Sequence, residues 1–373
     1  MFALLRNATM PKTLFITGAT GGIGRELIRL FLERTDDQLL LLVRPKASLS
    51  HEKRIHKLLE KMGINGNSRN RIRVLAGDVT QPRLGLDSKD WETVIRETDE
   101  FFHVAALTNL GAAWEEAEKI NLQGTVHALA LAREARARGR LTRFFYYSTA
   151  YVAGSLTTLH ASEDKLAEDP SFANAYEETK FLAEKKVREE LKEKLPVTIF
   201  RPSIVVGDSQ RGAIAEFNVI YPFMRLFAHG QLRRIPSRPE HSFNIVPIDF
   251  VVEASFAISR QKESLHKTFH LVSEKPPTLA MLLELKDEYG HFPPVEVVPP
   301  EDFSMENLEP AEKEAFRVLD PYLGYLGSTL TFDTKNTRQA LRETPIPLPN
   351  TDRAFLKKIL DYAIEKGYFI TLG

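Results

Sequence analysis

The run Thr13-Leu-Phe-Ile-Thr-Gly-Ala-Thr-Gly-Gly-Ile-Gly24, followed at once by Arg-Glu-Leu-Ile-Arg-Leu-Phe-Leu32, limits what this chain can fold into more than any other stretch. Thr13 to Thr17 is short, apolar and β-rich, which predicts a parallel strand buried on both faces. Gly18, Gly21 and Gly24 come next, and Ile23, Leu27, Leu30 and Phe31 then recur at the spacing of one helical stripe. A strand that turns through glycines into a helix offers unpaired N–H groups at the positive end of the helix dipole, with no side chain in the way. Such a turn either cradles a pyrophosphate against Gly18, Thr20, Gly21, Gly22 and Ile23 or simply joins a strand to a helix.

At 373 residues the chain suits one large domain or two modest ones. Fifty basic residues balance fifty acidic ones, so overall charge points to neither nucleic acid nor an anionic membrane. With no cysteine, disulfides, thiol nucleophiles and Cys-ligated zinc are excluded, which is compatible with a cytoplasmic location. The ten histidines show no metal-ligand spacing, and no apolar run approaches the length of a membrane span. Residues 1–10 read as a disordered leader.

Leu39 to Val43 predicts a second buried strand, ending in Arg44. An arginine at this strand end suits a 2′-phosphate, whereas an acid would meet a 2′-hydroxyl; the other reading is a solvated arginine. Lys46 and Arg54 would add charge. A helix follows over 50–62 with Ile55, Leu58, Leu59 and Met62 on one face, then a polar loop over 63–71 and a third strand at Ile72 to Ala76. Asp78, with Val79 after it, either reaches the adenine amino group or forms a Gly-Asp turn. The fourth strand, Phe101 to Val104, ends in Ala105 and Ala106, small enough for a flat cofactor to lie close, with Leu107 beside them. Asn121 interrupts an apolar helical face, as a buried group tied to backbone or as a surface residue. Arg143 to Tyr147 predicts a fifth strand leading into Ser148-Thr149, and Tyr176 and Lys180 share a face of a later long helix. An ammonium beside a phenol is expected to lower its pKa and make it a usable acid or base.

Taken together, Thr17-Gly18-x-x-Gly21-x-x-Gly24, Asp78, Ala105-Ala106, Asn121, Ser148-Thr149 and Tyr176-x-x-x-Lys180 resemble the extended short-chain dehydrogenase/reductases over residues 12–275. A narrower resemblance lies in Val43-Arg44-Pro, in Arg71 to Leu86, in Phe200 to Ser209 and in Pro321-Tyr-Leu…Thr331 to Arg338. These are similar to the thioester-reductase and fatty acyl-CoA reductase branch, the male-sterility type of NAD-binding protein. The resemblance implies an α/β fold: a Rossmann-type doubly wound parallel sheet with a smaller C-terminal substrate-binding lobe. It further implies NADP(H)-dependent reduction of an acyl-CoA or acyl-carrier-protein thioester to an aldehyde and onward to an alcohol. Thr149 takes the place of the catalytic Ser/Thr with Ser148 beside it, Tyr176 is the acid, and Lys180 binds the ribose. Pro202, Ser203 and Ile204 flank the nicotinamide. A homodimer is common for the superfamily. The chain carries neither the adenylation and carrier domains of carboxylic acid reductases nor the membrane-associating tail of many fatty acyl-CoA reductases, so a free-standing reductase is expected. The same fold also serves nucleotide-sugar epimerases, dehydratases and hydroxysteroid or ketone dehydrogenases. Arg44 speaks against the sugar enzymes, and the presence of both Tyr176 and Lys180 against a non-catalytic NADP sensor.

After residue 207 the alternation of strand and helix lapses. Residues 11–207 with 246–275 read as the cofactor domain, and 208–245 with 276–373 as the lobe. The stripe Phe217, Tyr221, Met224 within the apolar run 214–232 is either plain core or the acyl pocket. Arg233, Arg234 and Arg238 are either phosphate contacts or surface charge. Val246 to Ala257 predicts a buried helix, Thr268 to Val272 a strand, and Asp352 to Lys366 a final amphipathic helix.

Overall fold

Seven apolar runs, each flanked by polar turns, become one parallel sheet. A computed structural model describes residues 10–45, 50–154, 160–192, 195–217, 220–290, 292–326 and 329–369; the leader before Met10 and Lys46 lie outside the described residues. The first half alternates β1 (Thr13–Thr17), α1 (Gly22–Arg34), β2 (Gln38–Val43), α2 (His51–Lys61), β3 (Ile72–Ala76), α3 (Ser88–Glu97) and β4 (Glu100–His103). Helix α4 (Trp114–Ala117) passes through a π-helical turn at Glu118–Gln123 into α5 (Gly124–Arg138). Then come β5 (Arg143–Tyr147), a short β6 (His160–Ala161), α6 (Ala175–Lys192) and β7 (Val197–Pro202). The remainder supplies β8 (Ile204–Val206), α7 (Ile220–Ala228), β9 (Arg234–Pro236), β10 (Ile245–Pro247), α8 (Ile248–Ser259) and β11 (Thr268–Leu271). The last elements are α9 (Leu279–Glu288), β12 (Glu296–Val298), α10 (Pro310–Leu326), β13 (Thr331–Phe332), α11 (Lys335–Leu341) and α12 (Arg353–Glu365).

The sheet order is β11-β7-β5-β4-β1-β2-β3, with every neighbouring pair parallel. Side chains alternate across each strand, so both faces need a cover. Leu14, Ile16, Phe102, Phe145 and Phe200 pack on one side with α1 and α8, while Phe15, Phe101, Phe144 and Tyr146 pack on the other with α3, α5 and α6. The strand order reverses between β1 and β4, which opens a crevice at their carboxyl ends where sheets of this type take ligands.

The structure shifts a few boundaries. The fourth strand runs Glu100–His103, one residue earlier than expected, because buried Glu100 is held by Lys12 and Arg260. Val246 and Pro247 belong to β10 rather than to the following helix, which starts after Pro247, a residue with no N–H to continue a ladder. Within the apolar run 214–232 only Ile220–Ala228 is helical. A third core, with α7, α9, α10 and α12, lies beyond the strand ends and includes Leu110, Tyr151, Ile204 and Val206 from the sheet side. Helix α11 instead packs on β11 and α8, with Leu341 in the α1–α8 core.

Candidate active site

The glycine turn forms one wall of the crevice. Gly18 sits at φ +73, and a Cβ there would lie 2.6 Å from the Ala105 nitrogen at the end of β4. A Cβ on Gly24 would lie 2.2 Å from the Gly18 carbonyl. The α1 N-terminus starts at Gly21 with no side-chain cap and no acidic residue in its first turn, so its dipole is left open to an anion. Arg54, from α2, donates to the Arg44 carbonyl and at 3.3 Å to the Thr20 hydroxyl, which brings two guanidinium groups to the end of β2. Burial and then the nearby Arg44 charge lower the Arg54 pKa. Asp78 completes this end: one oxygen accepts from Thr80 N at 2.9 Å, and the other lies 4.0 Å from Arg44.

Asn121 is buried and tied to backbone. Its amide accepts from Leu107 N at 2.8 Å and donates to Leu107 O at 3.2 Å and Thr179 Oγ1 at 3.1 Å. It thereby fixes the segment Ala105, Ala106, Leu107 along the crevice, and it does so from the π-helical turn, a distortion often found at functional sites. Ser203 lies on the opposite wall. Its hydroxyl is buried without a protein partner, so a polar ligand group would satisfy it. Gly18, Thr20, Gly21, Gly22, Ile23, Arg44, Arg54, Asp78 and Val79 line one continuous cavity. Ala105, Ala106, Leu107, Ser148, Thr149, Tyr176, Lys180, Pro202, Ser203 and Ile204 line the same cavity, whose volume is about 410 Å³. A phosphate cradle, paired guanidinium groups and an orphan hydroxyl in one crevice fit a nicotinamide dinucleotide.

Thr149, Tyr176 and Lys180 are close neighbours in this lining. The Thr149 hydroxyl accepts from Tyr151 N at 3.3 Å and lies within hydrogen-bond reach of the Tyr176 hydroxyl. Burial raises the half-buried Tyr176 phenol to about 12, against the Thr149 hydrogen bond that lowers it. Lys180 does not depress it as expected from the sequence. Its ammonium donates to the Tyr147 carbonyl at 2.6 Å and lies 4.4 Å from the Tyr146 ring centroid. Burial brings Lys180 itself down to about 7, against the charge of Glu184, which raises it. Tyr176 therefore holds its proton at neutral pH.

A sequence profile of the NAD-binding family described as male sterility protein matches residues 16–255. The chain belongs to that family. It is an oxidoreductase of the extended short-chain dehydrogenase/reductase type, in the thioester-reductase branch, with a nicotinamide cofactor. Its structure superposes with a TM-score of 0.83 on the terminal R domain of the myxalamid PKS-NRPS biosynthetic pathway, at 27% identity over 98% of this chain and 93% of that one. A nonribosomal peptide synthetase of Aspergillus flavus is 29% identical over 70% of this chain and 26% of its own length. A carboxylic acid reductase of Mycobacterium marinum is 27% identical over 71% of this chain and 24% of its own length. The chain thus spans about a quarter of each of these two curated relatives.

Sequence reasoning missed a buried ion cluster that begins at Ser148. Ser148 donates to Glu184 at 2.6 Å, and Glu184 in turn accepts from Arg188 at 2.7 Å and from Arg201 at 2.6 and 3.0 Å. Burial pushes the Glu184 carboxyl up, but the two arginines outweigh it and hold it at about 2. Arg201 and Arg188 also donate to backbone carbonyls of Ser162 and Asp164, pinning the segment that follows the Ser148-Thr149 strand end.

Thr108, Leu110, Tyr151, Ile214, Ala215, Glu216 and Tyr325 also line the cavity. Phe217, Tyr221 and Met224, read as a candidate acyl pocket, are not among its lining residues. Tyr221 is fully buried, and Phe217 packs on Tyr368 and Tyr221 with ring centroids 4.3 and 4.9 Å away. Their helical spacing is that of core packing. Arg234 pairs with Glu312 and Arg238 with Glu301, and neither they nor exposed Arg233 line the crevice. Among the described residues no helix is long and apolar enough to cross a membrane.

Proposed function

We propose that this chain reduces acyl thioesters, carried on coenzyme A or on a carrier protein, to aldehydes with NADPH as the reductant. One observation carries the reading: the Thr149 and Tyr176 hydroxyls meet in the cavity that the glycine turn also lines, with a mostly apolar chamber of Leu110, Tyr151, Ile214 and Tyr325 to which Thr108 and Glu216 add polar atoms. Arg44 and Arg54 support NADPH over NADH, since paired guanidinium groups suit a 2′-phosphate.

The bound nicotinamide supplies the hydride. This chain's own residues do the rest. Gly18, Gly21 and the α1 N-terminus hold the pyrophosphate, Asn121 keeps the Ala105–Leu107 wall in register, and Ser203 meets a polar group of the nicotinamide. Thr149 and Tyr176 donate to the carbonyl oxygen as negative charge develops on it, the moment at which such contacts lower a barrier. Tyr176 gives up its proton to that oxygen, and the Lys180 ammonium, held by the Tyr147 carbonyl, is placed to bind the cofactor ribose. The hemithioacetal then collapses, releasing the thiol and leaving the aldehyde.

The test is NADPH consumption with acyl-CoA and acyl-carrier thioesters, following the aldehyde directly. Wild type is expected to turn over, and Tyr176→Phe to lose about 100-fold or more in kcat with NADPH binding intact. Wild type that binds NADPH yet leaves every thioester untouched overturns the reading.

A further inference from the structure

The segment Pro321 to Tyr325 closes α10 and lies far in sequence from the reacting groups, yet it reaches them. Asn174 is the hinge of this contact. Its Oδ1 accepts from Glu177 N at 3.0 Å, so it caps the helix that carries Tyr176. Its Nδ2 donates to the Pro321 carbonyl at 3.0 Å and to the Tyr325 hydroxyl at 3.2 Å. Tyr325 also bonds the carboxylate of buried Glu177, the residue next to Tyr176. One capping residue therefore starts the helix bearing Tyr176 and anchors the end of α10 beside it.

The anchoring decides what Tyr325 shows to the cavity. Its hydroxyl is engaged away from the crevice, and the Tyr151 hydroxyl is likewise taken by the Asn244 carbonyl at 3.2 Å. Both tyrosines line the cavity and are at least nine-tenths buried. Their rings meet edge to face, with centroids 4.7 Å apart at 78°. Phe332, in the segment after α10, backs Tyr151 with ring centroids 5.9 Å apart. Rings in such contact leave no aliphatic channel between them.

We propose that Tyr325 sets the length of acyl chain this enzyme accepts, by closing the chamber against Tyr151 beyond the Thr149–Tyr176 pair. The inference rests on the thioester reading above and assigns its selectivity to a residue of the lobe. Short acyl groups fit between the hydroxyl pair and the tyrosines, and longer ones meet the rings. Because Asn174 and Glu177 hold the ring from its hydroxyl end, it cannot swing aside without breaking contacts at the start of α6.

The experiment compares wild type, Tyr325→Ala and Tyr325→Phe on butanoyl-, octanoyl- and dodecanoyl-CoA, with NADPH binding followed by fluorescence. Wild type is expected to favour butanoyl- over dodecanoyl-CoA in kcat/KM. Tyr325→Ala is expected to raise the dodecanoyl-to-butanoyl ratio roughly tenfold or more, the scale on which pocket methylenes discriminate. Tyr325→Phe keeps the ring but loses the hydroxyl that Asn174 and Glu177 hold, and is expected to raise the ratio by less than Tyr325→Ala does. If Tyr325→Ala does not fold, as shown by lost NADPH binding, Tyr325→Leu is read in the same way. An unchanged ratio in a folded Ala or Leu variant overturns the proposal alone, as does wild type that takes dodecanoyl-CoA as readily as butanoyl-CoA. Wild type that binds NADPH and reduces none of the three, nor any carrier-bound acyl group, overturns the thioester reading and this inference with it.

Discussion

A lysine sealed under a tyrosine ring and a backbone carbonyl loses much of its hydration, which is why Lys180 falls to about 7 while the Tyr176 phenol rises to about 12. The two ionisations are thus far apart, and the lysine titrates within the working range. Below about pH 7 its ammonium is charged and has protons to donate to a cofactor hydroxyl besides the one held by Tyr147; above it the charge goes. We expect NADPH binding to weaken as pH rises through this pKa, and Lys180→Met to bind weakly at every pH, with no such step in a cofactor titration. At the far end of the crevice, the Arg44→Ala, Arg54→Ala double variant is expected to weaken NADPH binding about 10- to 100-fold and to leave NADH binding unchanged, checked by titration of both cofactors. Single residues of this kind were legible in the sequence where a local motif named them: the glycines, Tyr176 and Lys180. Tyr151 and Tyr325 were not, because nothing in their own neighbourhoods separates a chamber wall from ordinary core.

At the level of elements, several contacts tie distant segments to the sheet through buried polar groups. Glu163, fully buried after β6, accepts from His270 N at 2.9 Å on β11, from Asn336 N at 2.5 Å, and from Thr337 N and Oγ1 at 3.2 and 2.7 Å at the start of α11. Removing it strands these donors away from water. Glu163→Ala is expected to lower unfolding stability by about 3 kcal/mol in denaturant titration. The parallel strands and their helices could be read from sequence because a buried strand is a solid apolar run and an amphipathic helix repeats its stripe. The short strands could not. β6, β8, β9, β10, β12 and β13 hold two or three residues each, and Thr331 pairs with His160, so no local window carries the pattern.

Over the whole molecule, two buried histidines govern behaviour in mild acid. His103 sits between Thr17 and Thr125 and His270 between Arg201 and the Asp333 carbonyl; burial first, then nearby cationic charge, lowers each to about 3. In the unfolded chain both protonate near the ordinary histidine value, so between that value and about 3 the unfolded state binds more protons. Stability falls as pH drops through this window, by roughly 1.4 kcal/mol per pH unit for each histidine. Denaturant midpoints measured between pH 7 and 5 check this, and replacing His103 by Gln should flatten the slope. The architecture also has a consequence in time. Asn174 and Tyr325, which bond to one another, are 151 residues apart in the chain. Ribosomes add about 5–20 residues per second. For on the order of ten seconds during each round of synthesis, the nascent cofactor crevice and the tyrosine that works in it exist without their cover, exposed to whatever the cell holds.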